Sequence, residues 1–472
     1  MICDTLKRWL IVHGKSVERA VLIFHTSCLN YDLGELERLD ALPFRWVLPD
    51  NVYWELICMR DSPHFRERAE FLLSHTRHDP TWDMEQLYDT CDEPVTHKQI
   101  SYAPLVFLFG DLLKQDEFLR HVRAEENMYI LFRTGWDSGA DALQREQVSL
   151  LKLIDARGFR VCRPIPTGQR TKIEKTSALT LSTSQGRYGR TVRASEFVPT
   201  GMGGAYAKIY ADNGDFSGQL VKLYRAAAYG DSHLNKLQSL RSVGQRPPVR
   251  ELPLAMPLEL LYCPQGCAGY VMNRCPGELL RVFVRETERD WEGHDLAEIF
   301  RRLFRILLEL HTAHILINDL SYNNILIDES DRVSLVDCDS FQIQNYPGGD
   351  VTPFYCHSEI ELDESYNVLR EPRHEYFALA VLLYQCLFLS ENPLTQIQDG
   401  RDETSLDWRS VRFPLDTGGF YRPEHGAELR VNENIFDTWM SNPEPVRKAF
   451  ADEFHFRRDV SVGAWIRTLA LY

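Results

Sequence analysis

Three polar residues in the second half of the chain have the types and spacing that metal-assisted chemistry requires. Asp319 begins a turn, Asn324 follows five residues later, and Asp337 ends a short β-type run. Two apolar runs, 325–327 and 333–336, flank an Asp-rich turn, and their pairing as a hairpin would bring Asn324 and Asp337 near one another. Carboxylate and amide oxygens are the ligands that Mg²⁺ prefers, and Asp319 would stand beside them as a proton acceptor. This arrangement predicts phosphoryl transfer, in which a metal neutralises phosphate charge and a carboxylate orients the attacking hydroxyl.

The same spacing resembles the catalytic loop of the protein-kinase family, in which four residues separate an Asp from an Asn. This chain reads Asp-Leu-Ser-Tyr-Asn-Asn from Asp319 to Asn324, and Asp337-Cys338-Asp339 falls where the family has its magnesium-binding Asp-Phe-Gly element. The resemblance implies that Asp319 is the catalytic base and that Asn324 and Asp337 are metal ligands. A polar hairpin with incidental acids is the alternative interpretation.

A longer motif resembles a narrower group of proteins within the kinase family. The sequence VDCDSFQI at 336–343, with Leu-His at 310–311 upstream, is similar to a group of bacterial kinase-like proteins. Some of these carry helix-hairpin-helix tails and associate with phosphatases. The resemblance therefore implies a protein substrate and, as a further partner, a cognate metal-dependent protein phosphatase.

Two features upstream match the phosphate-binding parts of the kinase family. A glycine-rich turn between predicted strands contains Gly201, Gly203 and Gly204, and small residues let backbone amides approach phosphates. A plain hairpin is the alternative for this turn. Lys222 lies in the apolar run QLVKLY, where a lysine needs a partner. It matches the lysine that contacts the α- and β-phosphates in the family.

The stretch 255–277 resembles the two strands and the hinge of the kinase nucleotide pocket. The resemblance implies that Met272 or Asn273 lies next to the adenine. It also implies ATP and Mg²⁺ as cofactors.

Three further residues resemble the structural supports of a kinase. Glu359 stands in the position of the glutamate that ends the activation segment, and Arg458 is expected to be its buried partner. Glu375 occupies the place of the structural Asp that steadies the catalytic loop.

The chain departs from the kinase pattern at several positions. Ile-Asn at 317–318 replaces the His-Arg before the catalytic Asp, so phosphorylation of the activation segment is not expected to be needed. Asp339 replaces the glycine of the metal-binding element, which reduces the usual hinge freedom. The glutamate that should pair with Lys222 is not evident, because 231–242 contains only Asp231 as an acid. These departures favour a pseudokinase that binds nucleotide and regulates.

The first part of the chain resembles a PIN nuclease domain. The segments that resemble this family are VLIFHTSCLN at 21–30, WVLPDNVYWEL at 46–56 and MYILFRTGWD at 128–137. In that family acids gather at the carboxyl edge of a parallel sheet and bind Mg²⁺ or Mn²⁺ for phosphodiester hydrolysis. A plain α/β fold with surface acids is the alternative.

The resemblance implies a possible second metal site built from Glu55, Asp137 and, as a third acid, Asp116. His25 stands where the first acid should be, and imidazole suits zinc or manganese better than magnesium. We expect Glu55 and Asp137 to converge, with His25 pointing into the cleft, and RNA cleavage to be weak or absent. The site is altered, and its role is regulatory or that of a modified nuclease.

The elements that must position these residues fall into two predicted domains. In 1–163 apolar strands alternate with amphipathic helices, including a helical spacing at 144–156, which predicts an α/β domain with a parallel sheet that folds alone. The stretch 164–192 is rich in Ser, Thr and Gly and predicts a linker. Short strands before long helices in 193–472 predict an α+β domain, for which the resemblance implies the bilobal kinase-like fold.

Composition limits the partners and the compartment. The 472 residues carry 68 acidic and 53 basic side chains, a formal charge of −15, which disfavours RNA and an anionic membrane surface. The sequence contains no apolar run long enough to span a bilayer and no signal peptide at its start. Eleven scattered cysteines, including the group Cys263, Cys267 and Cys275, predict reduced thiols in a cytoplasm rather than disulfides or zinc ligands.

The sequence therefore predicts a cytoplasmic bacterial transferase: an ATP- and Mg²⁺-dependent protein serine/threonine kinase with an N-terminal PIN-like domain. Two alternatives stay open. One is the nucleotide-binding pseudokinase, and the other is a metal-dependent ribonuclease, using Mn²⁺ or Mg²⁺, that the kinase-like domain controls.

Overall fold

The computed structural model of the chain describes the following residues, to which every structural statement below is confined: 2–14, 19–81, 83–87, 103–122, 128–131, 148–149, 171–172, 178–180, 191–193, 198–200, 207–211, 218–224, 226–227, 231–263, 266–285, 291, 293–343, 346–348, 351–357, 359–360, 369–388, 420–421, 430–431 and 433–470.

A six-stranded sheet organises the first part of the chain, with strand order β3-β2-β1-β4-β5-β6. Its strands are β1 (Val21–Phe24), β2 (Arg45–Pro49), β3 (Arg77–Asp79), β4 (Leu105–Leu108), β5 (Met128–Leu131) and β6 (Val148–Ser149). The first five run parallel, and β6 pairs antiparallel with β5. The central strands β1 and β4 are apolar and buried along their whole length, as expected of a parallel sheet covered on both faces.

The helices of this part are α1 (Ile2–His13), α2 (Leu33–Asp40), α3 (Asp50–Met59), α4 (Arg66–His75) and α5 (Leu112–His121). The predicted α/β arrangement with a parallel sheet is confirmed. The helix predicted at 144–156 is wrong at its centre, because β6 lies there. A short apolar run does not by itself distinguish strand from helix, and here the run adds an edge strand to β5.

An antiparallel sheet of five strands organises the second part, in the order β10-β11-β12-β15-β14. These strands are β10 (Val198–Pro199), β11 (Ala207–Ala211), β12 (Gln219–Tyr224), β14 (Glu259–Cys263) and β15 (Gly266–Asn273). In the middle strand, Lys222 lies opposite Ile209 on one side and Tyr270 on the other.

The remaining strands form small sheets. They are β7 (Thr171–Lys172), β8 (Ala178–Thr180), β9 (Thr191–Arg193), β13 (Ala226–Ala227), β16 (Glu278–Leu279), β17 (Ile315–Leu316), β18 (Ile325–Ile327), β19 (Val333–Leu335), β20 (Gln342–Ile343), β21 (Phe420–Tyr421) and β22 (Arg430–Val431). The described parts of the predicted linker are strands: β7 pairs with β13, and β8 pairs with β9. A second sheet of three strands, β16-β18-β19, follows β15 after the short connection 274–277.

The helices of the second part are α6 (Asp231–Gly244), α7 (Leu280–Arg285), α8 (Leu296–Thr312), α9 (Pro372–Phe388), α10 (Glu433–Ser441), α11 (Glu444–Phe454) and α12 (Val462–Leu469). Helix α8 begins after Asp295, whose side chain accepts a hydrogen bond from Glu298 N at 3.0 Å. Helix α9 is buried on nearly all sides, which its apolar sequence permits. None of the described helices is both long and apolar enough to cross a membrane.

The two parts share one hydrophobic core. Helix α3 packs against α12 and α8 from the other part. Polar contacts cross the same boundary: Asn30 Nδ2 donates to Thr312 O at 3.0 Å, and Arg467 donates to the Asp50 carboxylate. The predicted boundary near residue 163 therefore does not separate two independent cores among the described residues.

Candidate functional site

The hairpin β18–β19 places Asn324 and Asp337 side by side. Ile325 pairs with Leu335, and Val336 N donates to Asn324 O at 3.0 Å. Asp337 follows at once, in the left-handed backbone region with φ +61°. That conformation is uncommon for a residue with a Cβ and turns the chain sharply after the strand.

Asp319 is held at the same place by hydrogen bonds to both of its carboxylate oxygens. Asn324 Nδ2 donates to Asp319 Oδ2 at 2.8 Å and to Asp319 O at 2.9 Å, and Thr352 N donates to Oδ1 at 2.8 Å. Burial raises the pKa of Asp319, and the hydrogen bonds from Thr352 counteract part of that rise. The amide nitrogen of Asn324 points toward Asp319. The amide oxygen of Asn324 therefore points away from Asp319.

Lys222 reaches this loop from the five-stranded sheet. Its Nζ lies 2.5 Å from Asp337 Oδ1 and 2.6 Å from Asp339 Oδ1. Burial alone would lower the pKa of Lys222, but the charges of Asp339 and Asp337 raise it above its ordinary value. Lys222 is therefore a buried ammonium ion with two carboxylate partners.

The two carboxylates differ in their surroundings. The side chain of Asp337 is 43% exposed, whereas that of Asp339 is 9% exposed. Tyr270 Oη donates to Asp339 Oδ1 at 2.8 Å, and Tyr224 Oη donates to Oδ2 at 2.9 Å. Burial would raise the pKa of Asp339, but Lys222 and these hydrogen bonds hold it below its usual range.

The oxygen donors here suit a hard cation. Asn324 and the partly exposed Asp337 offer an amide oxygen and a carboxylate at the end of one hairpin, which is a donor set that Mg²⁺ accepts. These two residues would hold the metal that the sequence predicts.

A buried pair of side chains, His311 and Glu375, lies next to the loop that carries Asp319. His311 Nε2 and Glu375 Oε2 are 2.6 Å apart, and Glu375 also accepts a hydrogen bond from the backbone of Ile317. Burial raises the pKa of Glu375 and lowers that of His311, so it favours the uncharged form of each group. Arg370 Nη1 donates to Asn318 O at 2.6 Å from another direction. Glu375 thus contacts the backbone just before Asp319, as expected from its predicted supporting place.

The predicted partner of Glu359 is wrong. Glu359 pairs with Arg373, whereas Arg458 lies 3.6 Å from Asp452 and is 27% exposed. Arg373 is the better partner because it is nearly buried and also contacts Glu371 Oε2 at 3.0 Å. The order of motifs in the kinase family predicted Arg458, late in the chain, as the partner of Glu359. In the structure the partner is Arg373, in the first turn of α9.

The other predicted nucleotide contacts are described only in part. Gly201, Gly203 and Gly204 lie outside the described residues. Met272 is buried and Asn273 is exposed, and both lie at the end of β15, where the chain passes to the second sheet.

The predicted second site is closed rather than an open cleft. Glu55 is 2% exposed and accepts hydrogen bonds from Thr26 Oγ1 and from the backbone of Gly463 in α12. Burial raises the pKa of Glu55, and Lys114 partly offsets that rise. The carboxylate is thus engaged within the core and not presented to a metal or to RNA.

The remaining members of that site are described only in part. His25 Nδ1 accepts a hydrogen bond from Ser27 N at 3.0 Å, and its ring stacks on Phe109 with centroids 4.9 Å apart. Burial and the charge of Lys114 lower the pKa of His25, so the ring is neutral. Asp116 is buried in α5, and Asp137 lies outside the described residues. His25, Glu55 and Asp116 are thus all buried, and the expected convergence of Glu55 with Asp137 stays a prediction.

One cluster of potential metal ligands occurs elsewhere. Within the part of the chain that the structure describes, His357, Glu359 and His374 are the only three such side chains whose ligand atoms lie within 4.8 Å of one another. Each histidine accepts a backbone hydrogen bond at Nδ1, from Glu359 N at 3.3 Å and from Glu371 N at 3.0 Å. Because both Nδ1 atoms accept, the Nε2 atoms of the two rings carry protons, and Arg373 already pairs with Glu359. This cluster is an ion-pair network around an arginine.

The sequence did not predict that Asp339 binds Lys222, or that Tyr224 and Tyr270 donate hydrogen bonds to Asp339. A signal existed for the tyrosine on β12, because residues two apart on a strand share a face with each other, as Lys222 and Tyr224 do. The other two lie far from Lys222 in sequence, and only the sheet register and the loop bring them to it.

No model of a known protein family matches this chain, and a search of curated proteins finds no match.

Proposed function

We propose that this chain is an ATP- and Mg²⁺-dependent protein kinase that phosphorylates a serine or threonine hydroxyl. The observation that carries the proposal is the contact between Lys222 Nζ and Asp337 Oδ1, at 2.5 Å. It joins a cation on the five-stranded sheet to the loop that holds Asp319 and Asn324. Phosphoryl transfer needs these groups in one cleft.

The fold is compatible with a bilobal arrangement. The five-stranded antiparallel sheet with α6 would form the smaller lobe, and the helices around α9 would form the larger one. The connection 274–277 would be the hinge, and Met272 or Asn273 would lie next to the adenine.

Each residue then has a defined role. Lys222 would bind the α- and β-phosphates, and Asn324 and Asp337 would hold Mg²⁺, which neutralises charge on the transferred group. Asp319 would accept the proton of the attacking hydroxyl. Its orientation is fixed by Thr352 N and by the Asn324 amide, and burial raises its pKa toward the range that suits a general base.

The substrate class follows from this chemistry and from the resemblance. A carboxylate base suits an alcohol, so a protein serine or threonine is the proposed acceptor. A cognate phosphatase as partner and a cytoplasmic location remain parts of this proposal.

The test is transfer of radiolabelled phosphate from ATP by the full-length protein in Mg²⁺, with autophosphorylation and generic protein acceptors as readouts. Asp319→Asn and Asp337→Ala are expected to abolish transfer. Glu329→Gln is the matched control, because Glu329 is an exposed acid in the turn of the same hairpin. Equal incorporation by wild type and Asp337→Ala would refute the assignment.

A nucleotide-binding pseudokinase is the second candidate. It is favoured by Asp339, which stands in the glycine position of the family and pairs with Lys222. Tight ATP binding without any phosphate transfer would establish it. The nuclease alternative has less support, since Glu55 is buried.

A further inference from the structure

We propose that Asp339 is the residue that positions Lys222, so that the two carboxylates of the 337–339 element have separate roles. Asp337 is the metal ligand, and Asp339 holds the lysine. The inference rests on the proposed function and assigns a role in it to one further residue, Asp339.

The geometry of Asp339 is that of a fixed acceptor. It receives hydrogen bonds from Lys222 Nζ at 2.6 Å, from Tyr270 Oη at 2.8 Å and from Tyr224 Oη at 2.9 Å. Both tyrosines lie on the strands that form the sheet, and Asp339 itself lies in a 3₁₀ turn at Cys338–Ser340. Ser340 Oγ donates to Asp337 O at 2.8 Å and braces the same turn. The carboxylate is therefore held at both of its oxygens.

Helix α6 does not supply this carboxylate among its described side chains. Its one acid, Asp231, is its first residue, and that side chain lies outside the described set. The group that α6 brings toward Asp339 is His233, whose ring centroid is 5.6 Å from that of Tyr224. Among the described side chains, the carboxylates that hold the lysine are those of Asp337 and Asp339.

A second carboxylate lets the lysine and a metal ion be held by different groups. A divalent ion at Asp337 would compete with the Lys222 ammonium group for the negative charge of that carboxylate. Asp339 is buried and accepts hydrogen bonds at both of its oxygens, so it would still hold Lys222 with a metal ion at Asp337.

The experiment compares Asp339→Asn with Asp337→Asn in the full-length protein. Loss of a charge-assisted hydrogen bond predicts an increase of about tenfold or more in the KM for ATP for Asp339→Asn. The Mg²⁺ concentration that gives half-maximal activity at saturating ATP should stay as in wild type. Asp337→Asn should instead raise that Mg²⁺ concentration. An unchanged KM in Asp339→Asn, or a Mg²⁺ shift equal to that of Asp337→Asn, would overturn the division of roles.

A double-mutant cycle separates positioning from general loss of structure. In a Lys222→Met background, Asp339→Asn should cause no further loss of ATP affinity, because its effect acts through the lysine. An additive loss would contradict the inference. Tyr270→Phe provides a second variant if Asp339→Asn does not fold, since it removes one hydrogen bond and keeps the charge. It should raise the KM for ATP by a smaller factor, and a KM equal to wild type would count against the proposal.

Failure of the proposed function has a different signature. Wild-type protein that neither binds ATP nor transfers phosphate would overturn both proposals. Wild-type protein that does both, with Asp339→Asn unaffected, would overturn only this one.

Discussion

Gly463 approaches Asn51 so closely that a Cβ at position 463 would lie 2.0 Å from the Asn51 carbonyl oxygen. The glycine lies in the first turn of α12 and the asparagine in the first turn of α3, so the contact joins the two parts of the chain. Backbone-to-backbone packing of this kind has no flexible atom that can move aside. The N-terminal sheet and the C-terminal helices are therefore parts of one folded unit.

Gly463→Ala should destabilise the whole protein. A methyl group at this contact forces the two helices apart, and overpacking of this kind costs about 1–3 kcal/mol or more of unfolding free energy. Helix propensity alone would favour alanine by about 1 kcal/mol. Gly34→Ala in α2 is the control, because nothing lies within 4 Å of its added Cβ. Chemical denaturation should show a single transition whose midpoint falls only for Gly463→Ala, and a midpoint that does not fall in this variant would contradict the packing.

The isolated segment 1–163 should fail to fold cooperatively. Removal of α12 and α8 would expose the apolar face of α3 and the buried Glu55. This expectation replaces the independent folding that the composition suggested. Circular dichroism during heating provides the measurement, with the full chain as reference. A sharp melting transition of the segment alone would restore the earlier boundary.

Arg373→Ala should cost far more stability than Arg458→Ala. Arg373 is 5% exposed and contacts Glu359, Glu371 and Asp459, so its removal takes one cation from two buried carboxylates, Glu371 and Asp459. Breaking such a pair typically costs about 3–5 kcal/mol. Arg458 is 27% exposed, and an exposed pair contributes roughly 0–1 kcal/mol. Urea denaturation of both variants is the measurement, and equal losses would contradict the assignment of Arg373 as the central cation.

Glu309 should make stability fall as pH rises from about 5 to 8. Burial raises the pKa of Glu309 to about 7, while its ordinary value is 4.5, so the folded state holds a proton that the unfolded state has released. Stability from this group is complete below the unfolded value and is lost as pH rises through the folded one. Glu309→Gln should remove this loss and stabilise the protein at pH 8 by roughly 1–3 kcal/mol.

The check on Glu309 is urea denaturation at pH 5 and at pH 8. Glu329→Gln, an exposed acid, serves as the control and should leave the pH dependence unchanged. Identical pH slopes for Glu309→Gln and wild type would show that Glu309 ionises normally in the folded protein.

Glu55→Gln should leave any RNA-cleaving activity of the protein unchanged. The carboxylate accepts hydrogen bonds from Thr26 and from the backbone of Gly463 and is 2% exposed, so it cannot reach a substrate phosphate. The measurement is cleavage of a labelled RNA in Mn²⁺ by both proteins. Robust Mn²⁺-dependent cleavage that Glu55→Gln abolishes would make the nuclease the leading interpretation.

Local patterns in the sequence predicted the elements that local forces determine. The apolar runs at β1, β2 and β5 are each strand-like on their own, and the spacing of the hairpin β18–β19 predicted that Asn324 and Asp337 are neighbours. The central strand β4 was not singled out, although its four residues are as apolar as those of β1. Its place between β1 and β5 depends on pairings across the sheet that sequence spacing does not encode.

The partners of charged residues were harder to predict. Lys222 meets Asp339 across 117 positions of chain, and Arg373 meets Glu359 although a later arginine matched the family order. Such pairs depend on which segments the tertiary fold brings together. Burial of Glu55 was unpredictable for the same reason, because the helix that covers it is near the other end of the sequence.

The contact of α3 with α12 also has a consequence for synthesis of the protein on the ribosome. Asp50 and Arg467 form an ion pair 417 positions apart, so α3 cannot acquire its final packing until Arg467 has been translated. At about 5–20 residues per second, this delay lasts on the order of tens of seconds. During the delay, chaperones and proteases have access to the apolar face of α3.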